Sequence, residues 1–232
     1  MNPFRYFHSA GWPFIGLFVL VTFVLSFMSG LLFVVGLILT SWCFYFFRDP
    51  QRVTPTRPGL IVSPADGKVV AIKEIVPESN LGLGDECRTR ISIFLNVFDV
   101  HVNRMPADGI VRETHYRPGA FVNASLDKAS EDNERMAVVL QLTGDHPYDN
   151  KILGVVQIAG LIARRILCAA EAGDTFKSGE RYGIIRFGSR ADIYLPPGLY
   201  PQVSLGQYMI GGETVLADCS SSEAPRHGEV RE

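Results

Sequence analysis

The strongest pattern in the sequence is an apolar run that begins at Trp12, ends at Phe47 and contains no charged residue. A helix needs about 20 apolar residues to cross the hydrocarbon core of a bilayer, so this run is too long for one ordinary span and slightly short for two. The small and polar residues of SFMSG, residues 26–30, interrupt it. The pattern therefore predicts two short helices, 12–25 and 31–47, that form a hydrophobic hairpin in a membrane.

Beyond the apolar run the pattern changes to short β-type runs separated by turn signals. Residues 48–59, RDPQRVTPTRPG, contain repeated prolines and no apolar period, which indicates a linker. Between residues 60 and 218, runs rich in Val, Ile and Phe alternate with turns such as Asp66-Gly67 and Asp108-Gly109. This pattern predicts a mainly β (α+β) domain of the sandwich or barrel type. The polar residues 219–232 are predicted to form a flexible tail.

The charges of the chain indicate where it resides and exclude one class of partner. The sequence contains 22 Lys and Arg against 24 Asp and Glu, so it lacks the basic field that nucleic-acid-binding proteins usually need, and no nucleic-acid partner is expected. By the positive-inside rule, both ends of the hairpin face the cytosol, because basic residues flank it at Arg5, Arg48, Arg52 and Arg57. A signal peptide is the disfavoured alternative, since no small-residue cleavage site follows a short apolar core. We expect the protein at the cell membrane, with its β domain on the cytoplasmic face.

The cysteines give no indication of a metal site or a disulfide framework. They are widely separated and form no CxxC pair, so reduced thiols and no bound metal are expected of Cys43, Cys87, Cys168 and Cys219.

The sequence GIIRFGSRADIYLPPG, residues 183–198, raises a chemical question because a Gly-Ser step lies inside a strand pattern. Ser189 is followed by Arg190, Ala191 and Asp192, which is unlike the G-x-S-x-G elbow of an ordinary serine hydrolase. A serine preceded by glycine can instead attack the carbonyl before it, because glycine tolerates a strained backbone. The peptide would become an ester, and elimination would leave a chain ending at Gly188 and a chain beginning with a pyruvoyl group. Such a ketone can bind a substrate amine and accept the electron pair left by departing CO₂.

Five separated stretches carry a resemblance to a known family. They are SPADGKV at 63–69, FDVHVNRMPADG at 98–109, FVNASLDKASEDNER at 121–135, VVQIAGLIARRI at 155–166 and FGS at 187–189. In this order, and over about residues 48–218, they resemble the short, membrane-anchored (archaeal-type) form of phosphatidylserine decarboxylase. The resemblance implies a self-cleaving proenzyme whose α and β chains come from one precursor. It also implies a covalent pyruvoyl cofactor and the conversion of phosphatidylserine in the membrane to phosphatidylethanolamine.

The resemblance also assigns residues. Ser189 matches the serine that becomes the pyruvoyl group, and Gly188 matches its partner at the cleavage site. Asp66 matches the acid, and His101 the base, of an Asp, His, Ser triad that drives self-cleavage. Longer members of the family carry a second histidine three residues after the first, where this chain has Arg104. His101 must then act alone, or another group must help.

Three further residues are candidates for substrate binding. Arg164 and Arg165 could bind the lipid phosphate, although a solvated pair of charges is the simpler interpretation. Asn133 could line the site or could cap a local element. The sequence leaves these alternatives open.

A second function from a different class fits one stretch. SPADGKVVAIKEI, residues 63–75, is also similar to half of a lipoyl-like β barrel, so a membrane-anchored carrier or binding module is the alternative. Lys68 and Lys73 lack the acidic and Met context usual for a modified lysine, which disfavours it. A carrier stays one chain, whereas the decarboxylase becomes two. A homo-oligomer is compatible with either reading.

Overall fold

In the computed structural model of the protein, the described residues are 6–119, 133–160, 165–186, 188–226 and 228–229. Their contacts divide the chain into two compact units. The first combines the described part of Met1–Gln51 with Val97–Val100, and the second combines Arg52–Asn96 with the described part of His101–Glu232.

The first unit is a pair of apolar helices, as the sequence predicts. A short 3₁₀ turn, Ser9–Gly11, leads into α1, Trp12–Ser26, and α2 follows at Gly30–Phe46. The Ser29 side chain caps α2 by accepting a hydrogen bond from the Leu31 amide. The two helices pack together, and the hydroxyls of Thr22 and Thr40 are 2.9 Å apart across the interface.

The outer surface of this hairpin is apolar. Most of the large hydrophobic side chains that the described structure exposes lie on α1, α2 and the turn between them. The segment Ser9–Ser26 is long and apolar enough to cross a membrane, with a mean hydropathy of 1.8, and Gly30–Phe46 is a shorter apolar helix. Exposed apolar surface on this scale is typical of a lipid-facing or partner-facing surface.

The second unit is built of strands. In chain order they are β1 Leu60–Val62, β2 Gly67–Ile75, β3 Arg88–Leu95, β4 Val102–Arg104, β5 Gly109–Arg117, β6 Arg135–Leu142, β7 Ile152–Ala159, β8 Ile166–Cys168, β9 Thr175–Phe176, β10 Arg181–Ile185, β11 Ser189–Tyr194, β12 Tyr208–Met209 and β13 Val215–Asp218, with a 3₁₀ turn at Ser79–Leu81. The predicted mainly β (α+β) class with an N-terminal helical hairpin is confirmed.

The described strands form three sheets, and every pairing between them is antiparallel. The largest has eight strands in the order β12-β2-β3-β11-β7-β6-β5-β9. A three-stranded sheet has the order β4-β10-β8, and β1 pairs with β13. Both faces of the large sheet are covered, so its central strands β3, β11 and β7 are buried at nearly every position.

The main hydrophobic core lies between the large sheet and the three-stranded sheet. Ile93, Val155 and Ile193 contribute from the large sheet, and Met105 and Tyr182 contribute from the β4 and β10 side. A second apolar cluster covers the opposite face of the large sheet and includes Leu81, Val139, Val156, Ile158 and Tyr194. Strand β11 is therefore buried on both sides.

The connector and the tail make contacts with the β unit. Arg57 forms an ion pair of 2.5 Å with Asp218, and the Val53 amide donates to Glu213. In the tail, Cys219 is buried and the carbonyl of Arg226 accepts a hydrogen bond from Ser204. The boundaries 1–47, 48–59, 60–218 and 219–232 stay predictions.

Candidate active site

Ser189 is the first residue of the strand at the middle of the large sheet. It pairs with Leu95 of β3 on one side and with Ala159 of β7 on the other. The side chain is 0% exposed, and its Oγ has no hydrogen-bond partner among the residues that the structure describes. An unpaired buried hydroxyl costs stability, and together with its position after Gly188 this makes Ser189 a candidate for a functional role.

Gly188 gives the backbone before Ser189 an unusual conformation. Its φ is +57°, in the left-handed region that side chains with a Cβ rarely adopt. A Cβ placed here would meet no described atom within 4 Å. The glycine is therefore needed for backbone conformation and not for space.

His101 lies directly before β4, an edge strand of the three-stranded sheet. It is completely buried, and its carbonyl accepts a hydrogen bond of 3.2 Å from the amide of Ile185. Ile185 ends β10 and is four residues from Ser189. The fold thus ties His101 to the segment that leads into the Gly188-Ser189 step.

Asp66 lies in the turn that leads into β2 and is nearly buried. One carboxylate oxygen accepts a hydrogen bond of 2.7 Å from the Arg52 guanidinium, and the other accepts one of 2.7 Å from the Gly211 amide. The neighbouring Pro64 carbonyl accepts a hydrogen bond from the Arg104 amide, which joins this turn to β4. Asp66 and His101 therefore lie on hydrogen-bonded neighbouring segments, and their joint action in a triad stays a prediction.

Arg104, at the position of the second histidine, has a local structural contact. Its guanidinium donates a hydrogen bond of 2.9 Å to the carbonyl of Gly179, and the side chain is almost fully buried. Arginine stays protonated at physiological pH, so it cannot replace an imidazole as a base.

The predicted substrate-binding residues have different surroundings. Asn133 is completely buried, and its amide donates a hydrogen bond of 2.6 Å to the carbonyl of Ala159, the residue that pairs with Ser189. Arg165 is exposed, and its carbonyl accepts from the amide of Arg186. Arg164 lies outside the described residues.

Arg186 is a candidate that the sequence reading did not select for binding. Its pKa is lowered from the usual arginine value, first by burial and then by the positive charge of Arg165. The negative charge of Glu134 partly offsets this lowering, and the hydrogen bond between the Arg186 amide and the Arg165 carbonyl joins the two segments. Two arginines on adjacent segments near Ser189 suit an anionic phosphate. In the sequence, the position of Arg186 two residues before Gly188 could have indicated it as a candidate.

The opposite face of β11 carries buried charges. Arg190 Nε lies 2.8 Å from Asp192 Oδ1, both side chains are essentially fully buried, and Arg90 approaches the same carboxylate at 3.9 Å. Burial and the charge of Asp192 raise the pKa of the neighbouring Tyr194 to about 12. These groups hold the strand in place behind Ser189.

A cavity of about 350 Å³ lies elsewhere in the β unit. Its wall includes Thr54, Arg57, His146, Lys177 and Cys219 and contains none of Ser189, His101 and Asp66. Its cations are already paired, Arg57 with Asp218 and Lys177 with Asp108. Among the described residues, no group of three or more His, Cys, Asp or Glu side chains could hold a metal ion.

Comparison with known proteins identifies the family. The sequence model described as phosphatidylserine decarboxylase matches residues 39–217. A protein of Cereibacter sphaeroides named phosphatidylserine decarboxylase proenzyme is 55% identical over 97% of this chain and 94% of its own length. Proteins of the same name from Paramagnetospirillum magneticum and Granulibacter bethesdensis are 53% and 56% identical, over 95% and 91% of this chain and 90% and 84% of their own lengths. The chain therefore belongs to the phosphatidylserine decarboxylase family.

Proposed function

We propose that the protein is a self-processing, pyruvoyl-dependent carboxy-lyase that converts phosphatidylserine to phosphatidylethanolamine and CO₂. The observation that carries the proposal is the step from a left-handed Gly188 to a buried Ser189 whose hydroxyl has no partner among the described residues. A carrier module needs no such step, and the relatives are named as decarboxylase proenzymes.

Self-processing proceeds through an acyl shift, an elimination and a hydrolysis. Ser189 Oγ attacks the carbonyl carbon of Gly188, the C–N bond between the two residues breaks, and the freed nitrogen takes the proton. Removal of the Ser189 Cα proton then expels Gly188 as a carboxylate. The dehydroalanyl residue that is left takes up water and releases ammonia, which gives the pyruvoyl group. The products are a β chain, residues 1–188, and an α chain, residues 189–232.

The roles of the chain's own residues follow from their chemistry and position. His101 takes the proton of Ser189, and Asp66 orients the imidazole. Arg165 and Arg186 bind the lipid phosphate, with Arg164 as a further candidate, and Asn133 holds the end of β7 beside Ser189 through the Ala159 carbonyl. The pyruvoyl ketone, once formed, supplies an electron sink for the decarboxylation.

The apolar hairpin suits the lipid substrate. A lipid with two acyl chains stays in the bilayer, so an anchored enzyme meets it in two dimensions and need not extract it. We place the protein in the short, membrane-anchored (archaeal-type) form of the family, with the β unit on the cytoplasmic face. A homo-oligomer is compatible with this placement.

Intact mass under denaturing conditions tests the proposal. The wild-type protein should give two chains, with the α chain blocked by a pyruvoyl group, whereas Ser189→Ala should give one chain and no decarboxylation. Active wild-type protein that consists only of full-length chain would contradict the proposal and favour the carrier alternative.

A further inference from the structure

Two buried amide side chains, hydrogen-bonded to each other, have no role in the chemistry described above. Gln157 of β7 and Asn103 of β4 are both 0% exposed. Gln157 is the polar exception in the apolar strand β7, whereas Asn103 lies between Val102 and Arg104 in β4. An amide in the core is less stable than an apolar side chain unless all its polar atoms are paired.

The pairing of the strands places Gln157 next to Ser189. Gln157 lies directly opposite Ala191, and Ala159 lies directly opposite Ser189. Residues opposite each other share a face of the sheet, as do residues two apart along a strand, so Gln157 and Ser189 are diagonal neighbours on one face. Diagonal neighbours are about 7–8 Å apart at the backbone, which a long side chain can span.

A hydrogen bond from the Gln157 side chain to the three-stranded sheet fixes its orientation. Its Nε2 donates a hydrogen bond of 2.8 Å to Asn103 Oδ1, which links the large sheet to the three-stranded sheet. Gly183, the partner of Asn103 in β10, leaves the necessary room, because a Cβ there would lie 2.9 Å from Gln157 Nε2. Asn103 is also two residues from His101 on the same segment.

Ser189 and Gln157 have a hydrogen-bond donor and a hydrogen-bond acceptor, respectively, that lack partners among the described residues. Gln157 Oε1, an acceptor, is buried without a hydrogen-bond partner among the described residues, and so is the Ser189 hydroxyl, which can donate to it. Asn103 Nδ2 is likewise unpaired within that part of the chain. Each such group lowers the stability of the fold, so their presence together indicates a role in chemistry.

We propose that Gln157 is a positioning residue for self-processing, an inference that rests on the proposed function. In the reactive conformation, Gln157 Oε1 accepts a hydrogen bond from Ser189 Oγ–H, which neither atom makes in this structure, and holds the oxygen near the Gly188 carbonyl. Asn103 fixes the orientation of the Gln157 amide through its Oδ1. The hydroxyl is thus held until its proton passes to the base.

The test is the rate of self-cleavage after cell-free synthesis of the full chain with lipid nanodiscs, followed as the fraction of β and α chains over time. Gln157→Met keeps the size of the side chain and removes the acceptor, so the rate should fall roughly tenfold to hundredfold. Gln157→Glu keeps an acceptor oxygen, so it should cleave faster than Gln157→Met. Its rate should rise with pH in an additional step, as the new carboxyl ionises.

Ser92→Ala is the matched control. Ser92 is also fully buried, and its hydroxyl is unpaired among the described residues, but it lies opposite Asp192 on the other face of the sheet. The Ser92→Ala protein should cleave itself at the wild-type rate. The unfolding temperature of each variant, measured in the uncut Ser189→Ala background, reports whether it folds.

Three outcomes would overturn the inference while the wild type still cleaves. They are a wild-type rate for folded Gln157→Met, equal slowing by Gln157→Met and Ser92→Ala, and, if Gln157→Met does not fold, a Gln157→Glu pH profile identical to that of the wild type. A wild type that never cleaves would contradict the proposed function itself.

Discussion

At the scale of single residues, the Gly188-Ser189 step combines a backbone requirement with a chemical one. Gly188 supplies a φ of +57°, and Ser189 supplies a buried hydroxyl without a described partner. The two requirements are separable, since a Cβ at residue 188 meets no described atom within 4 Å. A substitution there strains the backbone without blocking the site.

Gly188→Ala should therefore slow self-cleavage without abolishing it. The left-handed conformation costs an alanine about 1–2 kcal/mol, which should appear as lower stability when the variant is compared in the uncut Ser189→Ala background. Time courses of chain cleavage and urea unfolding measure the two effects. A variant that never cleaves although it is folded would show that the glycine has a further role.

His101→Ala should impair self-cleavage, decarboxylation or both. His101 is the motif-supported base, and Arg104 cannot replace it because its guanidinium stays protonated and donates to the Gly179 carbonyl. Intact mass reports cleavage, and CO₂ release reports the lyase step, so a cut but inactive variant would confine His101 to decarboxylation. Wild-type rates for both steps would refute the assignment and direct the search to a group outside the matched motifs, such as His115.

At the scale of the element, β11 is held by charges on the face that Ser189 does not use. Asp192 is completely buried and pairs with Arg190 on its own strand, and Arg90 of β3 lies next to the same carboxylate. Removing one partner of a buried ion pair leaves the other charge without compensation. The position of Ser189 therefore depends on residues that take no part in its chemistry.

Asp192→Asn should destabilise the uncut protein by about 3–5 kcal/mol, because the buried guanidinium groups lose their counter-charge. Urea unfolding in the Ser189→Ala background measures it. Asp108→Asn is the control, since the ion pair of Asp108 with Lys177 is exposed and should contribute little. Similar stability of both variants would show that the buried pair does not hold the strand.

At the scale of the whole molecule, the chain combines an apolar helical unit with a β unit that has its own core. A fold with its own core can form without the hairpin, whereas a bilayer substrate requires an enzyme that stays at the membrane. Folding and processing should therefore depend on the β unit, and access to lipid should depend on the hairpin.

Deletion of residues 1–47 should leave a chain that folds and cuts itself but decarboxylates phosphatidylserine poorly in vesicles. Dispersed short-chain phosphatidylserine is the matched substrate, on which the deletion should lose far less activity. Equal activity of both proteins on vesicles would contradict the anchoring role. Labelling that places the C-terminus outside the cytosol would contradict the topology.

The local patterns of the sequence determined the elements and predicted the reactive step. The long uncharged apolar run predicted the two helices, because such a run is typical of a helical hairpin in a membrane. The ends of α1 and α2 in the structure differ from the predicted ones by at most one residue. Val, Ile and Phe runs with Asp-Gly turns gave the β class. The site residues Ser189, Gly188, His101 and Asp66 stay predictions, made from family motifs that each lie within a few residues of chain.

Only the tertiary structure decided which distant residues meet. Strand order places β7 beside β11 and so brings Gln157 diagonal to Ser189, and the second sheet brings Asn103 to Gln157. It also shows that Arg104 donates to the carbonyl of Gly179 and that the Arg186 amide donates to the carbonyl of Arg165. The sequence could not show these pairs, because strand register and the packing of two sheets depend on how the entire core fills space.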